Sequence, residues 1–171
     1  MVTITKALTG DVTIIQAVGR ETFFEAFASQ NTVTDMEKYL DEHFSEEKIQ
    51  QELNNPESVF FIAREDETPI GYMKLNTGNA QTDVKEAIAL EIERIYVKAA
   101  YQGKKVGQLL YEQALHFAKQ KQKSYIWLGV WEENSKAINF YKKNGFVAFD
   151  KHMFKLGNDE QTDVMMKRAV E

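Results

Sequence analysis

One stretch limits the fold of this chain more than any other: an apolar run, a glycine-bearing loop and an amphipathic segment follow one another within residues 91–118. The run contains Ile92, Ile95 and Val97 and is typical of a buried strand. After the loop, apolar side chains recur at helical spacing: Val106, Leu110, Ala114 and Phe117. The stretch therefore predicts a strand, a loop and a helix in direct succession.

The loop carries Gly103 and Gly107 where the chain enters the helix. The first amides of a helix have no partner within it and lie at the positive end of its dipole, so they form a site for anions such as phosphate. Glycine lets the backbone approach a ligand closely. We therefore predict a phosphate-binding loop formed by Gln102, Gly103, Lys104, Lys105, Val106 and Gly107. The alternative is an ordinary surface loop with solvated lysines.

The alternation of apolar residues in the strand is broken. Leu90 and Ile92 share one face, whereas Ile95 and Val97 fall on the other by simple count. One inserted residue near Glu93 brings both pairs to one core face, and such an insertion is a β-bulge. A bulge leaves main-chain groups unpaired and splays the neighbouring strand. The alternative is a regular strand buried on both faces.

A second strand is predicted at residues 125–131, and a second helix follows it. Asn134 is typical of a helix N-cap, and Gly145 of the residue that follows a helix C-cap. Tyr141 lies on the apolar face of this helix, so its position alone favours a core aromatic residue.

The rest of the chain predicts shorter elements. A first strand is expected at residues 3–8, and a helix follows from Asp11. Thr34 and Glu37 have the spacing of a capping box. The remaining elements are a helix at 45–53, strands at 58–64 and 70–75, and a closing hairpin of 146–156 and 161–168 around the turn Gly157-Asn158-Asp159-Glu160.

In combination, the strand, the Gln-x-x-x-x-Gly loop, the helix, the second strand and the second helix resemble the GNAT acetyltransferases. Over the whole chain the sequence resembles the PaiA type of spermidine/spermine N-acetyltransferases, through residues 90–96, 127–132 and 160–163. The resemblance implies a GNAT-like α/β fold. Its central sheet is mixed and mostly antiparallel, with a bulged central strand and helices on both faces. It also implies acetyl-CoA as co-substrate and no metal.

GNAT folds bind the pantetheine arm of acetyl-CoA along the bulged strand. This resemblance implies main-chain bonds from Ile95, Tyr96 and Val97. Asn134 matches a position that commonly bonds the cofactor arm. Tyr141 matches the tyrosine that lies beside the acetyl-CoA sulfur and assists its departure.

Lys105 departs from the family pattern, which is usually Gln/Arg-x-x-Gly-x-Gly/Ala, because it replaces the first glycine. If this position needs a positive φ or close phosphate contact, cofactor binding is weakened. If the lysine ammonium takes up the phosphate charge, binding is kept.

The reaction also needs a proton acceptor, because a primary amine of pKa ~10.4 is mostly charged at neutral pH and costs roughly 4 to 5 kcal/mol to neutralise. Glu93, at the predicted bulge, is the first candidate for this base and Glu91 the second, if burial raises the carboxyl pKa or waters relay the proton. The alternative for either is a surface charge or a partner for Arg94. A histidine base at His152 is a further alternative.

Composition narrows the remaining functions. A chain of 171 residues with 43% hydrophobic content predicts a single domain over residues 1–171. The absence of cysteine excludes disulfides, cysteine-bound metals and thiol catalysis. No run is long enough to span a bilayer and no signal peptide is evident, so we expect a cytoplasmic protein without a membrane partner. The net charge of -5 argues against nucleic acid and suits a cationic substrate.

Acidic side chains dominate residues 35–52, and GNAT helices in this position help to wall the acceptor side. The cluster favours a multiply charged cation, and the alternative is a solvated helix face. The sequence therefore predicts direct transfer of acetyl from acetyl-CoA to a small-molecule primary amine, with spermidine or spermine as the leading acceptor. The alternatives are another amine (a peptide N-terminus, an amino sugar or an antibiotic) and a non-catalytic acyl-CoA-binding regulatory domain. The sequence leaves the oligomeric state open, a homodimer included.

Overall fold

The structure is a computed structural model, and it describes residues 1–157 and 159–171 apart from the side chains of residues 154, 156 and 159. The strands are β1 (Val2–Lys6), β2 (Ser58–Glu65), β3 (Thr68–Asn76), β4 (Ala89–Val97), β5 (Tyr125–Trp131), β6 (Val147–Leu156) and β7 (Asp159–Ala169). The helices are α1 (Val12–Phe27), α2 (Val33–His43), α3 (Glu46–Asn54), α4 (Val106–Gln120) and α5 (Ser135–Lys143). The predicted elements are therefore present.

The strands form one sheet in the order β1-β2-β3-β4-β5-β7-β6. β4 and β5 pair in parallel, and the other neighbours pair antiparallel. This confirms the mixed, mostly antiparallel sheet. β6 and β7 form the predicted closing hairpin, although Asn158 of its predicted turn lies outside the described residues.

Helices cover both faces of the sheet, as predicted. On one face, here called the α1–α3 face, Ile15, Met36 and Ile49 pack against Phe60 and Tyr72 of the sheet. On the opposite face, called the α4–α5 face, the core joins the two later helices to the other side of the same strands through Phe61, Met73, Leu110, Ala114 and Tyr141. Each face therefore has its own hydrophobic core.

The predicted bulge lies in β4. Lys74 of β3 pairs with Arg94, but the next residue, Leu75, pairs with Ile92, so Glu93 is the inserted residue. The inserted residue brings the apolar side chains before and after it to the same face of the sheet, because Ile92 and Ile95 both contribute to the core of the α4–α5 face.

The bulge also separates β4 from β5. These two strands pair through three residues only, from Ala89 with Tyr125 to Glu91 with Trp127. Beyond that point β4 continues along β3 to Val97, and β5 continues along β7 to Trp131. The two strands therefore leave a wedge between residues 92–97 and 128–131, here called the β4–β5 gap.

Side-chain caps fix the ends of the helices. Thr32 caps α2 by accepting a hydrogen bond from the Asp35 amide at 3.1 Å, so the predicted capping box of Thr34 and Glu37 is wrong and the helix begins earlier. The hydroxyl of Ser45 caps α3 in the same way. None of the helices in the described part of the chain combines the length and apolarity needed to cross a bilayer.

The C-terminus of α5 closes as predicted. Gly145 has φ +91°, and its amide donates to Lys142. The Phe146 amide donates to the Tyr141 carbonyl, which completes a Schellman motif. Phe146 is buried and its ring lies 5.6 Å from that of Tyr141, so this helix end fixes the position of Tyr141.

Candidate active site

A cavity of about 1120 Å³ occupies the β4–β5 gap and is lined by residues of both faces of the sheet. Ile95, Val106 and Tyr141 line it on the α4–α5 face. Tyr39 and Phe44 line it on the α1–α3 face. The gap thus connects two walls of different composition.

The cavity is lined by the residues that the sequence predicts for the cofactor, apart from Lys104: Ile95, Tyr96, Val97, Gln102, Gly103, Lys105, Val106, Gly107, Asn134 and Tyr141. The Tyr96 ring packs on the α1–α3 face, so only its main chain borders the α4–α5 wall. The Lys104 ammonium instead lies 5.4 Å from the ring of Tyr101.

The loop before α4 has the backbone of an anion site. Gly103 has φ +80° and Lys105 has φ +66°, so both adopt conformations that favour glycine. In the first hydrogen bond of the helix, the Leu109 amide donates to the Lys105 carbonyl, and the preceding amides have no partner within the helix. Lys105 therefore has the left-handed backbone conformation that the family's glycine pattern implies, and the residue lines the cavity.

The main chain of β4 beyond Glu91 has no partner on the side that faces the β4–β5 gap within the described sheet. Gln102 donates from its side-chain amide to the Val97 carbonyl at 3.1 Å, which ties the loop to the end of the strand. The bulged strand therefore offers free amides and carbonyls beside the loop.

Tyr141 is buried and lines this wall. Its ring lies 5.4 Å from Phe140 as well as against Phe146. Burial, reinforced by the nearby Tyr96, raises the pKa of Tyr141 above its usual 10.0. The hydroxyl is therefore protonated at neutral pH and is able to donate a hydrogen bond.

Asn134 is the N-cap of α5, as the residue pattern alone indicates. Its Oδ1 accepts a hydrogen bond from the Ala137 amide at 3.1 Å. The cap occupies the oxygen and leaves the Nδ2 group as a donor toward the cavity that Asn134 lines.

Glu93 lies in a buried ionic network with four charged members. Its carboxylate is 2.7 Å from the Lys74 ammonium and 3.2 Å from the Arg94 guanidinium. Glu52 of α3 pairs with the same two cations, at 3.2 Å from Lys74 and 3.0 Å from Arg94. The network contains two cations and two carboxylates, so its charges balance.

This network decides the protonation of Glu93. Burial raises its pKa, but Arg94 and Lys74, with a hydrogen bond from Asn76, outweigh burial and lower the pKa to about 2. The sequence-based argument for Glu93 as a base requires a raised pKa, and the structure gives the opposite direction. Its catalytic role is untested and stays a prediction.

Glu91, the second candidate, is buried and fully engaged. Its carboxyl accepts hydrogen bonds from the Thr82 amide at 2.8 Å, the Thr82 hydroxyl at 2.6 Å and Asn76 Nδ2 at 3.0 Å. Burial raises the pKa of Glu91, and these hydrogen bonds oppose part of that increase.

The wall on the α1–α3 face contains residues to which the sequence assigns no definite role: Phe27, Tyr39, His43, Trp131, His152 and Asp163. The sequence places Asp163 only in the predicted strand 161–168 and Trp131 only at the end of the predicted strand 125–131. The signal that could have revealed them is the alternation of β7, where Val164 and Met166 belong to the core of the α4–α5 face and Asp163 therefore faces the other way.

The acidic cluster of residues 35–52 does not converge on this cavity. Asp41 forms an ion pair with Arg20 at 3.2 Å, and Glu52 forms an ion pair with Lys74 in the buried ionic network. Asp35 and Glu42 line a separate cavity of about 250 Å³. Most of the cluster is thus a solvated helix face, which was the alternative interpretation.

The sequence matches the Acetyltransferase (GNAT) family over residues 20–146. The chain belongs to the GNAT acetyltransferase family. An uncharacterized N-acetyltransferase in the pepI 3′ region of Lactobacillus delbrueckii subsp. lactis is 40% identical over 154 residues, which cover 90% of this chain and 89% of the relative. The chain is therefore an N-acetyltransferase of GNAT type.

Two further similarities come from Thermoplasma acidophilum. The GNAT chain is 30% identical to a spermidine N(1)-acetyltransferase over 144 residues, which cover 82% of this chain and 84% of the relative. It also matches the crystal structure of a PaiA N-acetyltransferase in complex with coenzyme A, with a TM-score of 0.81, 28% identity and 99% of each chain covered.

GNAT enzymes use acetyl-CoA as co-substrate, and the walls of this cavity fit such a molecule. The unpaired amides before α4 suit a phosphate group, and the free edge of β4 suits an arm that contains amides. Among the described residues, no group of three or more His, Cys, Asp or Glu is arranged to hold a metal ion.

Proposed function

We propose that the protein transfers acetyl from acetyl-CoA to a primary amine by direct nucleophilic attack, with a polyamine such as spermidine or spermine as the leading acceptor. The observation that carries the proposal is the cavity in the β4–β5 gap, whose two walls lie on opposite faces of the sheet. One wall carries backbone donors, and the other carries aromatic rings and carboxylates. The spermidine acetyltransferase relative supports the polyamine class.

On the cofactor side, backbone amides of Gly103 to Gly107 hold the pyrophosphate in this proposal, with the Lys104 and Lys105 ammonium groups adding charge. Main-chain groups of Ile95, Tyr96 and Val97 pair with the pantetheine arm. Gln102 braces the loop, and Asn134 donates from Nδ2. The bound co-substrate supplies an acetyl thioester, and the side chains around it position that group.

Tyr141 is proposed to donate a hydrogen bond to the leaving sulfur. A tyrosine of pKa ~10 is a weak acid toward a thiolate of pKa ~8.5, by about 2 kcal/mol, so its proton is transferred late. The raised pKa of Tyr141 strengthens this conclusion, because the phenolate form is disfavoured further. Glu93 is the predicted acceptor of the amine proton, but its two cationic partners keep it ionised, so its part in this proposal is limited to the relay of that proton to water.

A panel of amines tests the proposal. Release of free thiol from acetyl-CoA is measured with spermidine, spermine, a monoamine of similar length, an amino sugar and a peptide, and the acetylated products are identified by mass spectrometry. We expect the polyamines to give the highest kcat/KM, with a steep decrease as salt is added, because exposed charges are screened within ~10 Å at 0.1 M.

The alternatives give different results. Equal turnover of mono- and polyamines would remove the polyamine assignment and keep the acetyl transfer. Cofactor binding without amine-dependent thiol release would favour a regulatory acyl-CoA-binding domain.

A further inference from the structure

Asp163 lies at the edge of the β4–β5 gap, on the α1–α3 face of the sheet. In β7 it pairs with Trp131, the last residue of β5, and with His152 of β6. Side chains of paired residues share a face, so Asp163 and Trp131 project together. Both line the cavity.

Gly129 leaves the space in front of this carboxylate open. A Cβ at Gly129 would lie 3.5 Å from Asp163 Oδ2, so any side chain there would fill the space beside the carboxylate. Gly129 also lines the cavity. The carboxylate oxygen is therefore accessible from the gap.

Aromatic rings surround the same space. The ring of Trp131 lies 6.5 Å from that of Phe27, and Tyr39 lines the cavity beside them. Aromatic faces attract cations, and a carboxylate beside them supplies the charge that an ammonium group needs. The surroundings of Asp163 suit an alkylammonium group.

We propose that Asp163 is the catalytic carboxylate that binds the acceptor ammonium and takes its proton. This inference rests on the proposed function and adds a residue to it. The Glu93 carboxylate is held in ion pairs with Lys74 and Arg94, and the Glu91 carboxyl accepts hydrogen bonds from Thr82 and Asn76. Within the described residues, no lysine or arginine forms an ion pair with Asp163.

The proton balance is complete with these residues. The ammonium gives one proton to Asp163, which passes it to water. The neutral amine then attacks the acetyl carbon, a C–N bond forms and the C–S bond breaks. The second amine proton replaces the one that Tyr141 gives to the departing sulfur, so the enzyme returns to its starting state.

The protonation of Asp163 fits this role. Burial raises its pKa above the ordinary 3.8, and the neighbouring His152 opposes part of that increase. Other titratable groups face the same space: Tyr39 from α2, Tyr96 from β4, and Asp83, which lies 3.5 Å from His152. A base of raised pKa is better matched to an ammonium than an ordinary carboxylate.

The experiment compares kcat/KM for spermidine across pH in the wild type and in Asp163→Asn. In the wild type, kcat/KM should reach a plateau and should fall on the acid side of it as Asp163 becomes protonated. The midpoint of this fall should lie above pH 3.8. The variant should lose ~10²–10⁴-fold at pH 7. Its rate should then rise about tenfold per pH unit, because only the free amine reacts.

Several controls separate the outcomes. Glu160→Gln changes an exposed carboxylate of the same strand outside the cavity and should match the wild type. Asp163→Glu should recover part of the rate, and an unchanged acetyl-CoA-induced rise in Tm should show that the Asn variant is folded. Loss of the acid limb in His152→Asn would overturn the proposal, because the base would then be His152.

The Asp163 proposal would equally be overturned if Asp163→Asn kept the wild-type pH profile, or if it raised the spermidine KM at every pH and left kcat unchanged. The proposed acetyl transfer would stand in both cases. A wild-type enzyme that acetylates no amine would instead overturn the proposed function.

Discussion

Glu93→Gln tests whether the ionic network determines the stability of the bulge. The Glu93 side chain is 20% exposed and its pKa lies at about 2, compared with 4.5 for an ordinary glutamate. This difference corresponds to roughly 3 kcal/mol in the free energy of unfolding at neutral pH. For a chain of this length, we expect Tm to fall by roughly 6–12 °C.

The direction of the pKa shift determines how the contribution of Glu93 to stability changes with pH. Because the pKa of Glu93 is lower in the folded state, its contribution is fully present above pH 4.5 and is lost as pH falls toward 2. The stability difference between the wild type and Glu93→Gln should therefore be largest at neutral pH and shrink to less than about half by pH 3.

Urea unfolding of both proteins at a series of pH values measures this difference. Glu47→Gln is the matched control, because Glu47 is an exposed carboxylate in α3 and should change little. A loss below about 1 kcal/mol, or a difference that stays constant with pH, would refute the reasoning, since the two cations would then not depend on Glu93.

Three further predictions concern other positions. Tyr141→Phe should lower kcat by one to a few powers of ten and leave the acetyl-CoA KM nearly unchanged, since a general acid contributes ~10²–10⁴-fold; a change in KM alone would assign Tyr141 to packing. Lys105→Gly should relieve the strain of φ +66°, so Tm should stay equal or rise by a few degrees; a large loss of acetyl-CoA affinity would show that the ammonium binds phosphate. Asp41→Lys should leave the spermidine KM unchanged, because Asp41 faces Arg20, and a raised KM would return the acidic cluster to the acceptor site.

The bulge could be predicted because it interrupts the alternation of apolar residues in the sequence of β4. The apolar residues at Leu90, Ile92, Ile95 and Val97 reach one core only if a residue is inserted, and the inserted residue is Glu93. The loop, the N-cap at Asn134 and the helix end at Gly145 were likewise predictable, since each depends on neighbouring residues in the chain.

The electrostatics of Glu93 could not be predicted. Glu52 is 41 residues away in the sequence and Lys74 is 19, so the network exists only after α3 and β3 have packed against β4. Burial alone raises a carboxyl pKa, and the direction reversed because two cations were buried with it.

Asp163 was missed for a similar reason. As one polar residue of Glu160-Gln161-Thr162-Asp163, near the start of the predicted strand 161–168, it carries no local pattern that indicates a site. Its position depends on the register of β7 against β5, which places it beside Trp131 and opposite the open space at Gly129. Single-sequence patterns do not determine such a long-range register.

The β4–β5 gap allows the donor and acceptor chemistries of this enzyme to diverge independently. Tyr141 and the loop before α4 lie on one face of the sheet, whereas Asp163, Trp131 and Tyr39 lie on the other. A substitution on the face proposed for the acceptor can change the amine accepted without moving the groups proposed for acetyl-CoA. The two-walled gap is therefore an architecture in which new amines can be recruited by changing residues on one face while the thioester site is retained.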